Sequence, residues 1–380
     1  MLSVNLPIPR LLSAGEVFAG DGSIAVLRAL PATRVAVIGS RSLLESKAGD
    51  KLRNAIKALD VRIITAPRGE TSLPGLKPVI RELAEFNPDW IIAAGGGSVL
   101  DAAKIAWIFH EHPDIDRERL TRPFAIPSLR GRTNFVAVPT TAGTGSEVSS
   151  SAVLSFGPGE AKQPVVSHEL LPDMVVLDPE LTLDVPASVM AASGMDALAH
   201  ALESYVSRFD NSMVDMFAEQ AIATLMEDLP LVVKNPSDTE IRLRLMQAAM
   251  MAGWAQNLKV PGVGHALAHQ FGAHGVAHGQ ATGALLAPAM RFNCADPTVR
   301  EKYDRLAGRL GLETADGLID AVANLRKAVG LDNPFRDLGP IDRSAMARAA
   351  MEDVCTRANP RDLDEEQFEA LIADAIGADA

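Results

Sequence analysis

The sequence predicts an α/β N-terminal domain built on a parallel sheet, followed by an all-α C-terminal domain, with the boundary between residues 184 and 185. Three observations carry this expectation. Residues 34–141 alternate short β-rich runs with amphipathic helical runs, the order that winds a parallel sheet with right-handed crossovers. A glycine-rich turn, GGGS, joins one of those strands to a helix. After DPELTLDVP (Asp178–Pro186) nearly every stretch carries a helical period.

Arg34–Ser40 (RVAVIGS) reads as a buried strand, and LLESKAGDKLRNAIKAL as a single amphipathic helix after it. Val61–Pro67 and Asp89–Gly95 are the next strands, separated by a helix over Gly75–Phe86, and Asn134–Thr141 is a fourth. Between Ser151 and Asp184 several prolines and runs such as MVVLD suggest extended segments that close the first domain. Pro186 suits the start of the helical half. MVDMFAEQAIATLMEDLPLVV, EIRLRLMQAAMMAGWAQ, AMARAAMEDVCTRA and EEQFEALIADAIG continue it without a repeat, a low-complexity tract or a linker.

A chain of 380 residues that is 47% hydrophobic and 22% charged has enough apolar sequence for two packed cores. Its net charge of −12 argues against nucleic acid or an anionic membrane surface as partner. Two cysteines, Cys294 and Cys355, give no disulfide framework and point to a reducing cytoplasm. The N-terminus lacks a signal-type apolar core, and no uncharged apolar run is long enough to span a bilayer.

Four of the eight histidines fall in Val260–Gly279, VPGVGHALAHQFGAHGVAHG. His265 and His269 are four apart, so a helix projects both from one face. Asp196 and His200, in SGMDALAHALESY, form a second i, i+4 pair. A carboxylate and imidazoles converging from separate helices suit a divalent metal ion. A single histidine is about as often a hydrogen-bonded structural residue, but the clustering favours metal. His110, His112 and His168 read as structural residues at a helix end and a surface turn.

Two loops have the composition of a nucleotide cradle. In GGGSVLDAAK (Gly95–Lys104) the glycines allow close backbone approach, with Ser98 as expected helix cap and Asp101 completing a capping-box-like start. Free N–H groups and the helix dipole there suit a pyrophosphate, although the loop lacks the G-x-G-x-x-G fingerprint and a plain tight turn remains an alternative. The second loop, VPTTAGTGSEVSSSAV (Val138–Val153), follows a strand and is rich in small hydroxyl donors.

In order along the chain, GGGSVLDAAK, PTTAGTGSEV, SGMDALAHALE and HALAH…HG resemble the iron-containing (group III) alcohol dehydrogenase family, and DVCTRANPR (Asp353–Arg361) resembles its C-terminal pattern. The resemblance implies a Rossmann-like dinucleotide-binding domain, a helical metal-binding domain, and a cleft where metal and nicotinamide meet. It implies Asp196, His200, His265 and His278 as metal ligands and His269 as proton relay, so that Asp196 and His269 carry the catalysis. Gly95, Gly96, Gly97, Ser98 and Asp101 match the pyrophosphate and nicotinamide-ribose loop, and Thr140, Thr141, Thr144 and Ser146 the loop around the adenine and nicotinamide ends. Implied cofactors are Fe2+, with Zn2+ also suited to the donor set, and NADP or NAD. A cytoplasmic homodimer is implied too.

Two departures from the family pattern matter. Where NAD-preferring relatives carry an aspartate at the end of the first strand, this chain has Gly39, followed by Ser40 and Arg41. Without that carboxylate a 2′-phosphate is not repelled, and Arg41 could pair with it, which tilts the expectation toward NADP. The last ligand lies in Ala-His-Gly rather than Pro-His-Gly, and His274 sits in an Ala-His-Gly of its own, so it rivals His278.

The expected chemistry is direct hydride transfer between a nicotinamide and a small alcohol or aldehyde, assisted by the metal. Ser149, Ser151, Trp254, Asn257, Phe271 and Cys355 are expected to line the substrate pocket, with a plain buried apolar role equally open for Cys355. Related-fold alternatives are maleylacetate reductase, glycerol dehydrogenase and dehydroquinate synthase types. A metal-dependent hydrolase built on the helical domain would leave the two nucleotide-type loops unexplained, and a non-catalytic metal- or nucleotide-binding regulator predicts tight cofactor binding with no turnover on any alcohol or aldehyde.

Overall fold

A computed structural model of the chain describes residues 13–69, 71–157, 160, 162–336 and 338–377. These residues form two compact units, Ser13–Met190 with Lys234–Met250, and Ala191–Val233 with residues 251–377. Among the described residues, no helix is long and apolar enough to cross a membrane.

The first unit carries strands β1 (Glu16–Ala19), β2 (Arg34–Gly39), β3 (Asp60–Thr65), β4 (Trp90–Gly95), β5 (Asn134–Pro139), β6 (Ser151–Leu154), β7 (Gln163–Val166) and β8 (Met174–Leu177). Six of them form a parallel sheet in the order β1-β8-β5-β4-β2-β3, while β6 and β7 pair as an antiparallel ribbon. The central strands are apolar throughout because both faces are covered: every residue of β4 is buried, and Val35, Val37, Ile92, Val136, Val138 and Val176 share one cluster with Leu52 and Ile56. Truncating such a residue, Ile92→Ala for example, removes about 2–5 kcal/mol.

Because β2, β4 and β5 are adjacent and parallel, their carboxyl ends lie along one sheet edge. Gly39 registers with Ala94, and Gly95 with Pro139. That edge, the usual ligand-binding edge of an open α/β sheet, thus carries Ser40, the Gly95–Gly97 turn and the Thr140–Ser146 loop.

The helices of this unit are α1 (Arg41–Leu44), α2 (Lys47–Ile56), α3 (Leu73–Phe86), α4 (Gly97–Glu111) and α5 (Arg117–Thr121). The single helix expected after β2 is two, because Ser46 caps a new one by accepting from Gly49 N–H at 3.2 Å. Gly49 is required at that junction, since a Cβ there would stand 2.2 Å from the Leu43 carbonyl oxygen. Helix α3 starts ahead of its expected Gly75, capped by Ser72 and with Pro74 in its first turn. Strand β1 escapes the periodicity argument, being four residues long and mostly exposed at the sheet edge.

The second unit is helical, as the sequence predicts. Its chain order is α6 (Ala187–Val206), α7 (Ser212–Lys234), α8 (Thr239–Lys259), α9 (Val263–Gly272), α10 (His278–Asn293), α11 (Pro297–Arg309), α12 (Ala315–Ala328), α13 (Arg343–Glu352), α14 (Val354–Ala358) and α15 (Glu365–Gly377), with the start of α6 and most of α8 belonging to the sheet unit. Val263, Leu267, Phe271, Leu285, Phe335 and Phe368 share its core. Phe271 stacks on Phe335 with centroids 4.1 Å apart and is fully buried, so it is a core residue and not the pocket wall expected of it.

The break between α8 and α9 is built by three residues. Val260 adopts φ +55°, a left-handed conformation costly for a β-branched side chain, and Pro261 and Gly262 follow it. The reversal is held by Asn359, whose Oδ1 accepts from Val263 N–H at 3.2 Å and from Asn293 Nδ2 at 3.0 Å. A Cβ at Gly262 would stand 2.6 Å from that same oxygen.

Candidate active site

Asp196 and His200 lie one turn apart on α6, His265 and His269 one turn apart on α9, and His278 opens α10. Ligating atoms of Asp196, His265 and His278 lie within 4.8 Å of one another. Asp196 Oδ1 stands 3.6 Å from His265 Nε2 and 3.4 Å from His278 Nε2. These gaps are too long for hydrogen bonds, but two ligand atoms each about 2.1 Å from a tetrahedral ion stand about 3.4 Å apart. The His200 ring stacks on His265 with centroids 4.5 Å apart, and its Nδ1 lies 3.9 Å from Asp196 Oδ2.

A second observation tests the fit. His265 Nε2 and His200 Nδ1 are buried nitrogens without a hydrogen-bond partner. Leaving such groups unsatisfied costs about 1–3 kcal/mol each, and a bound cation relieves that cost where it meets the lone pair. The chemistry of the set agrees, since one carboxylate and three imidazoles suit Fe2+, Zn2+ or Co2+.

The electrostatics point the same way. Burial alone would raise the Asp196 carboxyl, but His200, His278 and His265 hold it far below the ordinary carboxylate range. Desolvation lowers His200 to about 4 and His278 to about 3, which leaves both imidazoles neutral near pH 7, the form that ligates metal. His265 goes the other way: burial lowers it, but Asp196 and Glu203 outweigh burial and raise it to about 9.

His269 stands beside this cluster, its ring stacked on His278 with centroids 5.4 Å apart and an interplanar angle of 13°. Its Nδ1 lies 2.8 Å from Asp353 Oδ2, while Asp353 Oδ1 accepts from Cys355 N–H at 2.8 Å. The carboxylate places a ring proton on Nδ1 and leaves Nε2 clear of that contact. With a 39% exposed side chain, His269 also has access to solvent. His274 is not brought in: it is exposed in the turn after α9, where Gly275 (φ +81°) reverses the chain. His278, beyond that turn, is the imidazole that lies beside Asp196 and His265.

In the sheet unit the two expected loops pack on each other through their glycines. A Cβ at Gly97 would lie 2.6 Å from Thr144, and one at Gly96 would lie 3.4 Å from Thr141. Thr140 N–H donates to the Gly95 carbonyl at 3.0 Å. Ser98 does not cap α4. The cap is Gly96, with no side-chain bond, so side chains leave the first-turn N–H groups unused, as an anion site requires. Asp101 forms no capping box either, because its carboxylate accepts from Ser146 Oγ at 2.7 Å and Val153 N–H at 3.0 Å. Ser146 thus spends its hydroxyl proton on α4, and Thr144 Oγ1 accepts from Ser146 N–H at 3.3 Å.

At the end of β2, a Cβ on Gly39 would lie 2.8 Å from the Leu44 side chain. Ser40 caps α1 by accepting from Leu43 N–H at 3.2 Å. The exposed Arg41 has a loose ion pair with Glu45 at 3.9 Å.

Sequence reasoning missed Lys104, Glu147 and Glu203. Lys104 is fully buried, and its Nζ donates to the carbonyls of Ser146 (2.6 Å), Ser149 (2.7 Å) and Ser151 (3.2 Å), fastening the second loop to α4. Ser149, expected to line a substrate pocket, is 2% exposed and donates to the Ser151 carbonyl at 3.0 Å. Burial pulls Lys104 down to about 8 and pushes Glu147 up to about 7. His110 is 3% exposed, with both ring nitrogens unpartnered, rather than solvated at a helix end. A lone lysine within GSVLDAAKIAW, and a glutamate seven residues after Asp196, were the available signals.

A parallel sheet with an uncapped glycine turn at its carboxyl edge, and a helical unit carrying an Asp/His cluster, fit the class of metal-assisted, nicotinamide-linked oxidoreductases. Comparison with known proteins supplies the family. Residues 14–179 match the iron-containing alcohol dehydrogenases, and residues 190–376 match the C-terminal part of the Fe-containing alcohol dehydrogenase family. The NADPH-dependent butanol dehydrogenase of Clostridium saccharobutylicum is 32% identical over 373 residues, 94% of this chain and 95% of its own. The 1-propanol dehydrogenase of Salmonella typhimurium is 34% identical over 379 residues, 95% and 98% of the two chains. An iron-containing alcohol dehydrogenase from Thermococcus thioreducens superposes with a TM-score of 0.89 at 30% identity, covering 97% of this chain and 99% of that one. The chain belongs to the iron-containing alcohol dehydrogenase family and is an NAD(P)-linked oxidoreductase acting on alcohols.

Proposed function

We propose that the protein is an Fe2+-dependent reductase of short aldehydes that prefers NADPH and oxidises the corresponding small alcohols in reverse. The observation that carries the metal reading is the spacing of Asp196 against His265 and His278, at 3.6 and 3.4 Å, together with the unpartnered His265 Nε2. Asp196, His200, His265 and His278 hold the ion. When bound, it supplies Lewis acidity that polarises a carbonyl or acidifies a hydroxyl.

Asp196 contributes the negative charge of the ligand set and fixes the imidazoles around it. His269 carries the proton between substrate oxygen and solvent through Nε2, with Asp353 holding Nδ1. The turn from Gly95 through Ser98, which opens α4 without a side-chain cap, receives the pyrophosphate on its backbone N–H groups. Thr140, Thr141 and Thr144 face the cofactor, while Asp101 and Ser146 hold the loop that presents them. At the end of β2, the missing carboxylate at Gly39 and the guanidinium of Arg41 favour a 2′-phosphate. The NADPH-dependent butanol dehydrogenase and the 1-propanol dehydrogenase, named above as relatives, support the cofactor and the substrate size.

The test is anaerobic turnover of Fe2+-loaded enzyme, followed by nicotinamide absorbance, with NADPH and NADH offered separately against aldehydes of increasing length. The proposal expects NADPH with short straight-chain aldehydes to give the highest kcat/KM. Highest rates with NADH, or on bulky ketones, overturn the cofactor and substrate assignments respectively.

A further inference from the structure

The proposed reaction leaves one buried carboxylate beside the metal pocket without a role. Asp196, His200 and Glu203 occupy positions i, i+4 and i+7 of α6 and therefore share a face. Glu203 is 3% exposed, and its ion-pair partner is the His265 ring rather than a lysine or arginine. Its carboxylate is taken up by the first turn of α9. Gly264 N–H donates to Oε1 at 2.7 Å, His265 N–H donates to Oε2 at 3.3 Å, and the His265 ring Nδ1 is hydrogen-bonded to Oε2.

We propose that Glu203 is the positioning residue of the metal centre: it sets the tautomer, the ring angle and the helix register that aim His265 Nε2 at the ion. A carboxylate accepts but does not donate, so its contact with Nδ1 holds one ring proton there and makes Nε2 the nitrogen that meets the ion, which displaces the proton Nε2 carries in the metal-free protein. Nε2 is the nitrogen found buried, unpartnered and 3.6 Å from Asp196. The two backbone bonds lock the rotation of α9 about its axis, and the carboxylate sits favourably at that helix's N-terminus.

The packing allows no slack. A Cβ at Gly264 would come 2.9 Å from Glu203 Oε1, and one at Gly262 would come 3.2 Å from it. These two glycines admit the carboxylate. Glutamine cannot replace it, since an amide has one acceptor oxygen for three converging donors and turns an NH2 group toward a backbone N–H.

The inference rests on the reading of His265 as a ligand, and the experiment separates the two. Co2+ is the probe, with dissociation constants from competition against a chromophoric chelator and the visible d–d spectrum recorded for wild type, E203Q, G264A and H265A. Circular dichroism of the metal-free proteins checks the fold. E203Q is expected to be folded, to bind Co2+ about 10–100-fold more weakly, and to show a shifted d–d band. G264A, which displaces the carboxylate without removing it, is expected to change both in the same direction by less. If H265A keeps wild-type affinity, His265 is not a ligand and both readings fall. If H265A weakens binding while folded E203Q keeps the wild-type constant and spectrum, the Glu203 proposal alone is overturned. Should E203Q not fold, an unchanged constant and spectrum in G264A overturns it.

Discussion

Lys104 and His265 are both buried polar side chains on helices packed in apolar surroundings, yet their neighbourhoods are finished in opposite ways. Lys104 Nζ finds three carbonyl oxygens between 2.6 and 3.2 Å, and Asp101 beside it is satisfied by Ser146 and Val153. His265 is satisfied on one ring nitrogen, by Glu203, and has no hydrogen bond on the other, which faces Asp196 Oδ1 at 3.6 Å. The first arrangement is closed and needs no ligand, because it pins a loop to a helix. The second is held rigid on its outer side and left unsatisfied on its inner side, as a binding site must be. Polar burial alone therefore does not mark a site, and neither does a lone unfilled valence, since His110 has two; an unfilled valence aimed at a carboxylate and further imidazoles does.

The largest effect expected to sharpen this contrast is on the open cluster. Asp196→Ala removes the carboxylate of the ligand set, and loss of the Lewis acid is worth several kcal/mol, so kcat/KM should drop by about 10³-fold or more. Metal content by mass spectrometry should fall with it. The closed cluster should behave the other way. Lys104→Met strands several carbonyls, and about 3 kcal/mol of unfolding free energy should be lost in denaturant titration with metal content unchanged. Equal metal loss in both variants would erase the distinction.

The Glu147 carboxyl gives the contrast a pH signature. Raised from 4.5 to about 7 by burial, it keeps in the folded chain a proton that the unfolded chain has released. Its contribution to stability therefore falls as pH climbs from about 4.5 to about 7 and stays low above that. Glu147→Gln should be more stable than wild type at pH 8, by about 2–3 kcal/mol, and the gain should vanish below about pH 4.5. A pH-independent difference contradicts the assignment. The smallest expected effect lies at the end of β2. Arg41→Ala should raise KM for NADPH about tenfold, the worth of one charge-assisted contact, and leave KM for NADH unchanged.

Much of this was legible in the sequence, and particular residues show why the rest was not. Strands β2, β4 and β5 are buried on both faces and read as apolar runs; β1, four residues at an exposed edge, has no comparable pattern. The Asp196/His200 and His265/His269 spacings announced a shared pocket because helical geometry turns i, i+4 into adjacency. Only the family pattern favoured His278 over His274, since the left-handed turn at Gly275 that separates them depends on packing around α9 and α10. Ser98 and Asp101 fitted a capping box by spacing, but tertiary contacts from Ser146 and Val153 claimed the carboxylate. Glu203 was readable in principle, being on the ligand face of α6, whereas its partner Gly264 lies 61 residues away and appears only in the fold.

The central claim is that the Asp196/His200/His265/His278 pocket makes this chain a metal-dependent dehydrogenase. The most direct test follows NADPH oxidation by a short aldehyde in wild-type enzyme through three states: Fe2+-loaded, chelator-stripped, and reloaded, with metal content measured at each. Turnover that disappears with the ion and returns with it is the expected result. Turnover that persists once the ion is gone contradicts the account.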